Sequence, residues 1–146
     1  MSMGLMDFVM DAKSRIQEVD IHAAEQLIHS GDYQVLDVRE PAEFLSGTVI
    51  EHALHIPRGI LEAAADKDYA AAIPALRDGR TQKWLVFCRS GGRGALAADT
   101  LQKMGFTHVV NVLGGVDVCC RRVINMNMPD DAESLVQLKQ PCIPIS

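Results

Sequence analysis

The run Cys88-Arg89-Ser90-Gly91-Gly92-Arg93-Gly94 is the part of this sequence best equipped for chemistry. Its three glycines let backbone N–H groups come close to a ligand. Arg89 and Arg93 add two permanent cations on either side of the glycine pair. A thiol reacts as its thiolate, and both a helix N-terminus and neighbouring guanidiniums favour that form. The chemistry this pattern points to is nucleophilic attack by Cys88 on an anionic substrate. Converging loop donors would hold that substrate, with no acid in the loop to repel it. The bland alternative is a buried cysteine at a strand end, since free cysteine is among the most buried residue types. A core cysteine, however, needs neither a Gly-Gly loop nor two arginines.

The elements around the loop must place it. Trp84–Phe87 is a short apolar run that reads as a fully buried strand of a parallel sheet. From Ala95 the pattern turns helical, with Leu96, Ala97, Leu101 and Met104 on one face and Gly105 as the stop. Strand, glycine loop and helix put Cys88 at the carboxyl end of a strand, in front of a helix N-terminus. Open α/β sheets bind ligands at that edge.

With these residues in view, VFCRSGGRG and the helix after it resemble the active-site loop of the rhodanese (thiosulfate sulfurtransferase) domain family. Three further segments are similar and follow in the family's order: VLDVREPAEF at 35–44, a degraded G-x-I-x-x-A-x-x-I-P at 47–57, and VVNVLGGV at 109–116. The resemblance implies an α/β fold with a mostly parallel sheet of about five strands and helices on both faces, which the alternating strand and helix patterns also suggest. It further implies that Asp37 and Arg39 hold loops beside the pocket as a structural ion pair, with direct chemistry by Asp37 a minority role. The sequence departs from the family in three places. Thr48, Ile50, Glu51 and His52 replace the usual histidine and proline-glycine turn. Gly94 stands where serine or threonine is usual, which removes one donor from the pocket. Cys119, next to Cys120, stands where a tryptophan is frequent.

Taken in order, the chain suggests an N-terminal extension over 1–19, a rhodanese-like domain over 20–128 and a tail over 129–146. Leu5–Val19 reads as an amphipathic helix covering a sheet edge, and Asp20 as the N-cap of a helix closed by Gly31. Gln34–Val38 and Ala53–Ile56 read as strands, with Pro41 opening a short helix between them and His55 half-buried and hydrogen-bonded. Arg58–Ala65 and Lys67–Ile73 read as short helices, and 74–82 as a polar approach to the central strand. Phe106–Val112 reads as the last strand and Val116–Val123 as a helix.

The 146 residues carry a net charge of −5, so the two arginines beside Cys88 are a local feature on an acidic protein. That balance suits a small anion and disfavours nucleic acid or an anionic membrane. No stretch reaches the roughly 18 apolar residues of a membrane span, which points to a cytoplasmic protein. The four cysteines, Cys88, Cys119, Cys120 and Cys142, show no metal or disulfide spacing, so no metal and no cofactor are expected.

The function expected is a sulfurtransferase. Cys88 would take sulfane sulfur from thiosulfate or a related small anionic donor, as a persulfide, and pass it to cyanide or an acceptor thiol, including a protein thiol. Arg89 directly after the cysteine is similar to thiosulfate-using rather than mercaptopyruvate-using members. Cys119 or Cys120 could relay sulfur, against the plainer reading of small core residues. One alternative, motivated by Gly94, is a non-catalytic sulfur carrier or regulatory binding module. Another is a cysteine phosphatase, but such loops place one more residue between nucleophile and arginine than the four that separate Cys88 from Arg93. Oligomeric state is left open.

Overall fold

Trp84–Phe87 is buried on both faces, as its apolar run requires. Trp84, Val86 and the following Cys88 belong to one core cluster, whereas Leu85 and Phe87 belong to another. The computed structural model describes residues 2–47 and 49–118. Its first half comprises α1 (Leu5–Lys13), β1 (Gln17–Val19), α2 (Ile21–His29), β2 (Tyr33–Asp37), α3 (Pro41–Ser46) and β3 (Leu54–His55). A 3-10 turn (Arg58–Ile60) leads into α4 (Leu61–Ala65), followed by α5 (Pro74–Arg77), β4 (Lys83–Phe87), α6 (Gly92–Lys103) and β5 (His108–Val112). The strands form one parallel sheet in the order β1-β5-β4-β2-β3, which is the α/β architecture anticipated. A helical turn over 115–118 follows β5.

Helices cover both faces. Leu61, Ala64 and Ala65 of α4, Leu76 of α5, and Ala97, Ala98 and Leu101 of α6 pack with Leu36, Trp84, Val86 and Val109 on one side. Ile21, Ala24 and Ile28 of α2 pack with Val35, Leu85, Phe87, Val110 and Val112 on the other. Trp84 fixes the start of the central strand, because its indole N–H donates to the Gly79 carbonyl at 2.8 Å while its ring is buried.

Several expected elements shift. The helix expected over Leu5–Val19 ends at Lys13, and Gln17–Val19 instead pairs with Val110–Val112 as an edge strand. Three residues carry too little periodicity to reveal a strand whose partner lies some ninety positions away. No helix forms over Lys67–Ile73. The Asp66 side chain accepts from the Asp68 N–H at 2.7 Å, and the Ile73 N–H goes to Ala64, so local turns use the donors a helix would need. The helix in this region is instead Pro74–Arg77, opened by the proline itself. The Asp20 cap is present, its carboxylate accepting from the Ala23 N–H at 2.8 Å. His55 is part-buried, donates to the Arg39 carbonyl at 2.8 Å and stacks on Phe44. The expected tail over 129–146 and the cysteines Cys119, Cys120 and Cys142 lie outside the described residues. Among those described, no helix is long and apolar enough to cross a membrane.

The segment before α2 is tied into the domain. Val9 and Ala12 of α1 are buried, and Arg15 reaches Asp99 of α6 through two hydrogen bonds of 2.9 and 2.8 Å. These bonds from Arg15 hold the Asp99 carboxyl down to about 2, below its ordinary range. A lowered carboxylate stabilises the fold above its unfolded value of about 3.9, and that contribution disappears as pH falls through the folded value. Arg15→Met is therefore expected to lower stability at pH 7, modestly because the guanidinium is half-exposed. Urea unfolding at pH 7 and again near pH 2 checks this: the gap between variant and parent should close at the lower pH.

Candidate active site

Cys88 sits where β4 ends and the loop to α6 begins, with its side chain almost wholly out of water (1% exposed). The loop bends back at Gly91, whose φ of 107° is open to glycine at little cost. That bend turns the Gly91 N–H onto Cys88 Sγ at 3.0 Å. The helix then starts at Gly92, earlier than the Ala95 expected from periodicity, because the glycines adopt helical backbone without adding to the apolar pattern. The Ala95 N–H closes the first turn onto the Gly91 carbonyl. The N–H groups of Gly92, Arg93 and Gly94 therefore lack intrahelical acceptors and form the positive end of a twelve-residue helix.

A second glycine turn locks this loop in place. Gly114 and Gly115 both have positive φ, and the chain after them donates from Val116 to the Cys88 carbonyl (2.8 Å) and from Asp117 to the Arg89 carbonyl (2.9 Å). A Cβ at Gly115 would overlap the backbone of Cys88 and Arg89, so this close approach requires glycine. The loop's carbonyls are thus used for anchoring and its N–H groups are left for the sulfur.

The arginines are less free than expected. Arg93 donates to both oxygens of Glu43 on α3, at 2.5 and 2.8 Å, and Arg89 is an exposed side chain 3.7 Å from Asp117. The expectation that no acid faces the loop holds only within its sequence: α3 and the 115–118 turn each bring a carboxylate to a loop arginine. Hydrogen bonding to Arg93 holds the Glu43 carboxyl down to about 2, so this pair is charged at any ordinary pH. Ser90 is exposed at the loop's tip.

Asp37 and Arg39 form a buried ion pair beneath this edge. Arg39 donates Nη2 to Asp37 Oδ2 at 2.8 Å and its backbone N–H to Oδ1 at 2.9 Å. Asp37 is fully buried and Arg39 nearly so, as suits a pair that fixes the turn between β2 and α3. Among the described residues, no cluster of histidine, cysteine or acidic side chains is arranged to hold a metal ion.

Two residues that the motif reading passed over complete the site. Asn111 is fully buried on β5, with Nδ2 donating to the Gly91 carbonyl at 3.1 Å and to Glu18 Oε2 at 2.8 Å. Its Oδ1 is buried without a hydrogen-bond partner and packs against Gly94. A Cβ at position 94 would overlap that oxygen and lie 3.5 Å from Cys88 Sγ. Gly94 is thus a steric consequence of Asn111 as well as a missing hydroxyl. A polar residue inside the apolar run HVVNV was the available signal for Asn111; Glu18 gave none.

The chain is similar to known proteins. A model of the Rhodanese-like domain matches residues 20–120. A Schizosaccharomyces pombe mitochondrial protein provisionally named a thiosulfate sulfurtransferase is 36% identical over 87 residues, which cover 55% of this chain and 58% of that protein. The Arabidopsis thaliana protein named thiosulfate sulfurtransferase 16, chloroplastic, is 32% identical over 110 residues, covering 73% of this chain and 89% of its own. A solved Rhodopseudomonas palustris structure, of unknown function and described as a candidate tyrosine phosphatase, superposes with a TM-score of 0.75 at 30% identity, covering 81% of this chain and 89% of that one.

The contact between Asn111 and position 94 gives a direct expectation. Gly94→Ser should destabilise the protein by about 1–3 kcal/mol, because the added atoms must displace a hydrogen-bonded amide. Urea denaturation measures it, and an unchanged midpoint would mean that Asn111 turns aside freely.

Proposed function

The chain belongs to the rhodanese-like domain family, and on that premise we propose that it is a sulfurtransferase working through a Cys88 persulfide. The observation that carries this reading is the sulfur of Cys88 held at the mouth of a helix, receiving the Gly91 N–H at 3.0 Å. A sulfur anion withdrawn from water needs fixed dipoles, and the unused N–H groups of 92–94 supply them. No side-chain base is required if the cysteine reacts as thiolate.

In the first half-reaction the Cys88 thiolate attacks the sulfane sulfur of thiosulfate or a similar donor. A bond forms between Sγ and that sulfur while the donor's S–S bond breaks, its electron pair leaving with sulfite. The persulfide keeps one negative charge, facing the same N–H groups. In the second half-reaction cyanide or an acceptor thiolate, which could belong to another protein, takes the outer sulfur and returns the thiolate. The names of the relatives support sulfur transfer, and the choice of thiosulfate rests on them and on Arg89. A setting that keeps thiols reduced, such as the cytoplasm, suits this chemistry.

A carrier or regulatory module remains the alternative of a different class, and the ion pairs on Arg93 and Arg89 favour it, since both weaken attraction for a small dianion. The phosphatase reading has the palustris structure in its favour. The loop opposes it: four residues separate Cys88 from Arg93, and Arg93 is engaged with Glu43.

Intact mass after brief thiosulfate exposure separates these readings. The expected result is a gain of about 32 Da, one sulfur atom, reversed by cyanide and absent in Cys88→Ser. No gain in a protein whose Cys88 alkylates readily would favour another donor or a carrier role. Cys88-dependent hydrolysis of an aryl phosphate would overturn sulfur transfer. Glu43→Gln tests the anion site, since it removes the charge that competes for Arg93. It should lower KM for thiosulfate by roughly 2–10-fold with little change in kcat, the mark of a ground-state binding effect.

A further inference from the structure

Gly91, the residue whose N–H reaches Cys88 Sγ, is held from behind by a chain of hydrogen bonds that starts outside the region matched to the family. Lys13 Nζ at the end of α1 lies 2.8 Å from Glu18 Oε2 on β1. The same carboxylate oxygen accepts from Asn111 Nδ2 at 2.8 Å, and that nitrogen also donates to the Gly91 carbonyl at 3.1 Å. Glu18 and Asn111 stand side by side in the sheet register, so the contact is fixed by strand pairing. Asn111 faces α6 where the alternation of β5 would otherwise place an apolar side chain, between Val109 on the same face and the glycine loop.

Glu18 decides which way the carboxamide points. With Glu18 and the Gly91 carbonyl both accepting, only the orientation with Nδ2 toward them makes two hydrogen bonds. That orientation leaves Oδ1 buried and unpartnered against Gly94. A buried unsatisfied carbonyl is unfavourable, so the two bonds made by Nδ2 must outweigh it. Without Glu18 one of the two is gone, and the amide's hold on the Gly91 carbonyl weakens. Gly91 has no side chain, and its left-handed turn depends on the anchoring of its backbone.

We propose that Glu18 and Asn111 are positioning residues for Cys88, holding the Gly91 peptide so that its N–H stays on the sulfur. The segment over 5–19 is then part of the site's support. This inference rests on Cys88 as the reactive group of the proposed function, but not on the identity of any sulfur donor.

Of the charged groups on the elements that adjoin β4 and its loop, Arg93 interacts electrostatically with Cys88 and is paired with Glu43; the others are the pairs Arg89–Asp117, Asp37–Arg39, Arg58–Glu62 and Lys13–Glu18. Two variants separate hydrogen bonding from charge. Glu18→Ala and Glu18→Gln both remove the negative charge that pairs with Lys13. Glutamine keeps an oxygen that can accept from Asn111, whereas alanine does not. On charge alone, each variant should make the Cys88 thiolate easier to form, and equally so. On the positioning argument, Glu18→Ala should make it harder despite the lost charge, and Glu18→Gln should not.

The test is the pH dependence of iodoacetamide alkylation at Cys88, followed by mass mapping of the peptide that carries it, with circular dichroism confirming that each variant is folded. The midpoint of the profile is read rather than its plateau, because looser packing raises the plateau without moving the midpoint. We expect the midpoint of Glu18→Ala to lie about one pH unit above those of Glu18→Gln and the parent protein, the size of one lost N–H donor to a charged sulfur. Coincident midpoints for the two variants would overturn the positioning role. If Glu18→Ala does not fold, Asn111→Ser serves in its place, since serine is too short to reach Glu18 and the Gly91 carbonyl together. A midpoint for Asn111→Ser no higher than the parent's would equally overturn it. Failure of sulfur loading in the parent protein would instead count against the proposed function and leave these alkylation profiles readable.

Discussion

The structure depends on keeping the backbone N–H groups after Cys88 free while the carbonyls of the same loop are bonded. Peptide groups carry both a donor and an acceptor, and a buried loop must satisfy one without consuming the other. Here the carbonyls of Cys88 and Arg89 accept from Val116 and Asp117, and the Gly91 carbonyl accepts from Ala95 and Asn111. What remains is a set of donors around one sulfur. Two glycine turns make this feasible, because only residues without a Cβ let the chain after β5 press against the end of β4.

That constraint explains features that look unrelated. Parallel pairing of β4 with β2 and β5 brings three carboxyl ends to one edge, so the loops after each can meet there. The buried Asp37–Arg39 pair shapes the turn after β2, and the helix it leads into carries Glu43 to Arg93. Charge near the sulfur is therefore balanced by pairs, and the uncompensated electrostatics come from peptide dipoles. Dipoles fixed by a fold do not reorganise as charge moves between nucleophile and leaving group, which is the property a sulfur transfer needs.

Gly94 and Asn111 show how a residue type can follow from its neighbour. A hydroxyl-bearing side chain at 94 would compete with the Asn111 amide for one volume beside Cys88. The amide ties the loop to β1, so the residue at 94 and the anchor on the edge strand share one volume beside the sulfur.

The sequence by itself determined the strand–loop–helix around Cys88, the parallel α/β class, the Asp20 cap and the resemblance to the rhodanese-like family. Each of these rests on local periodicity, glycine spacing or contiguous motif residues, which near neighbours in the chain suffice to encode. It misplaced the helix at Lys67–Ile73 because the competing turn at Asp66 is made by one side-chain bond that periodicity does not register. Only the tertiary structure decided that Gln17–Val19 joins the sheet, that Glu43 and Asp117 meet the loop arginines, and that Glu18 reaches Asn111. The Glu18, Glu43 and Asp117 partners come from different elements, and their meeting depends on strand order and register. Those are properties of the whole packed sheet, and no short window of residues contains them.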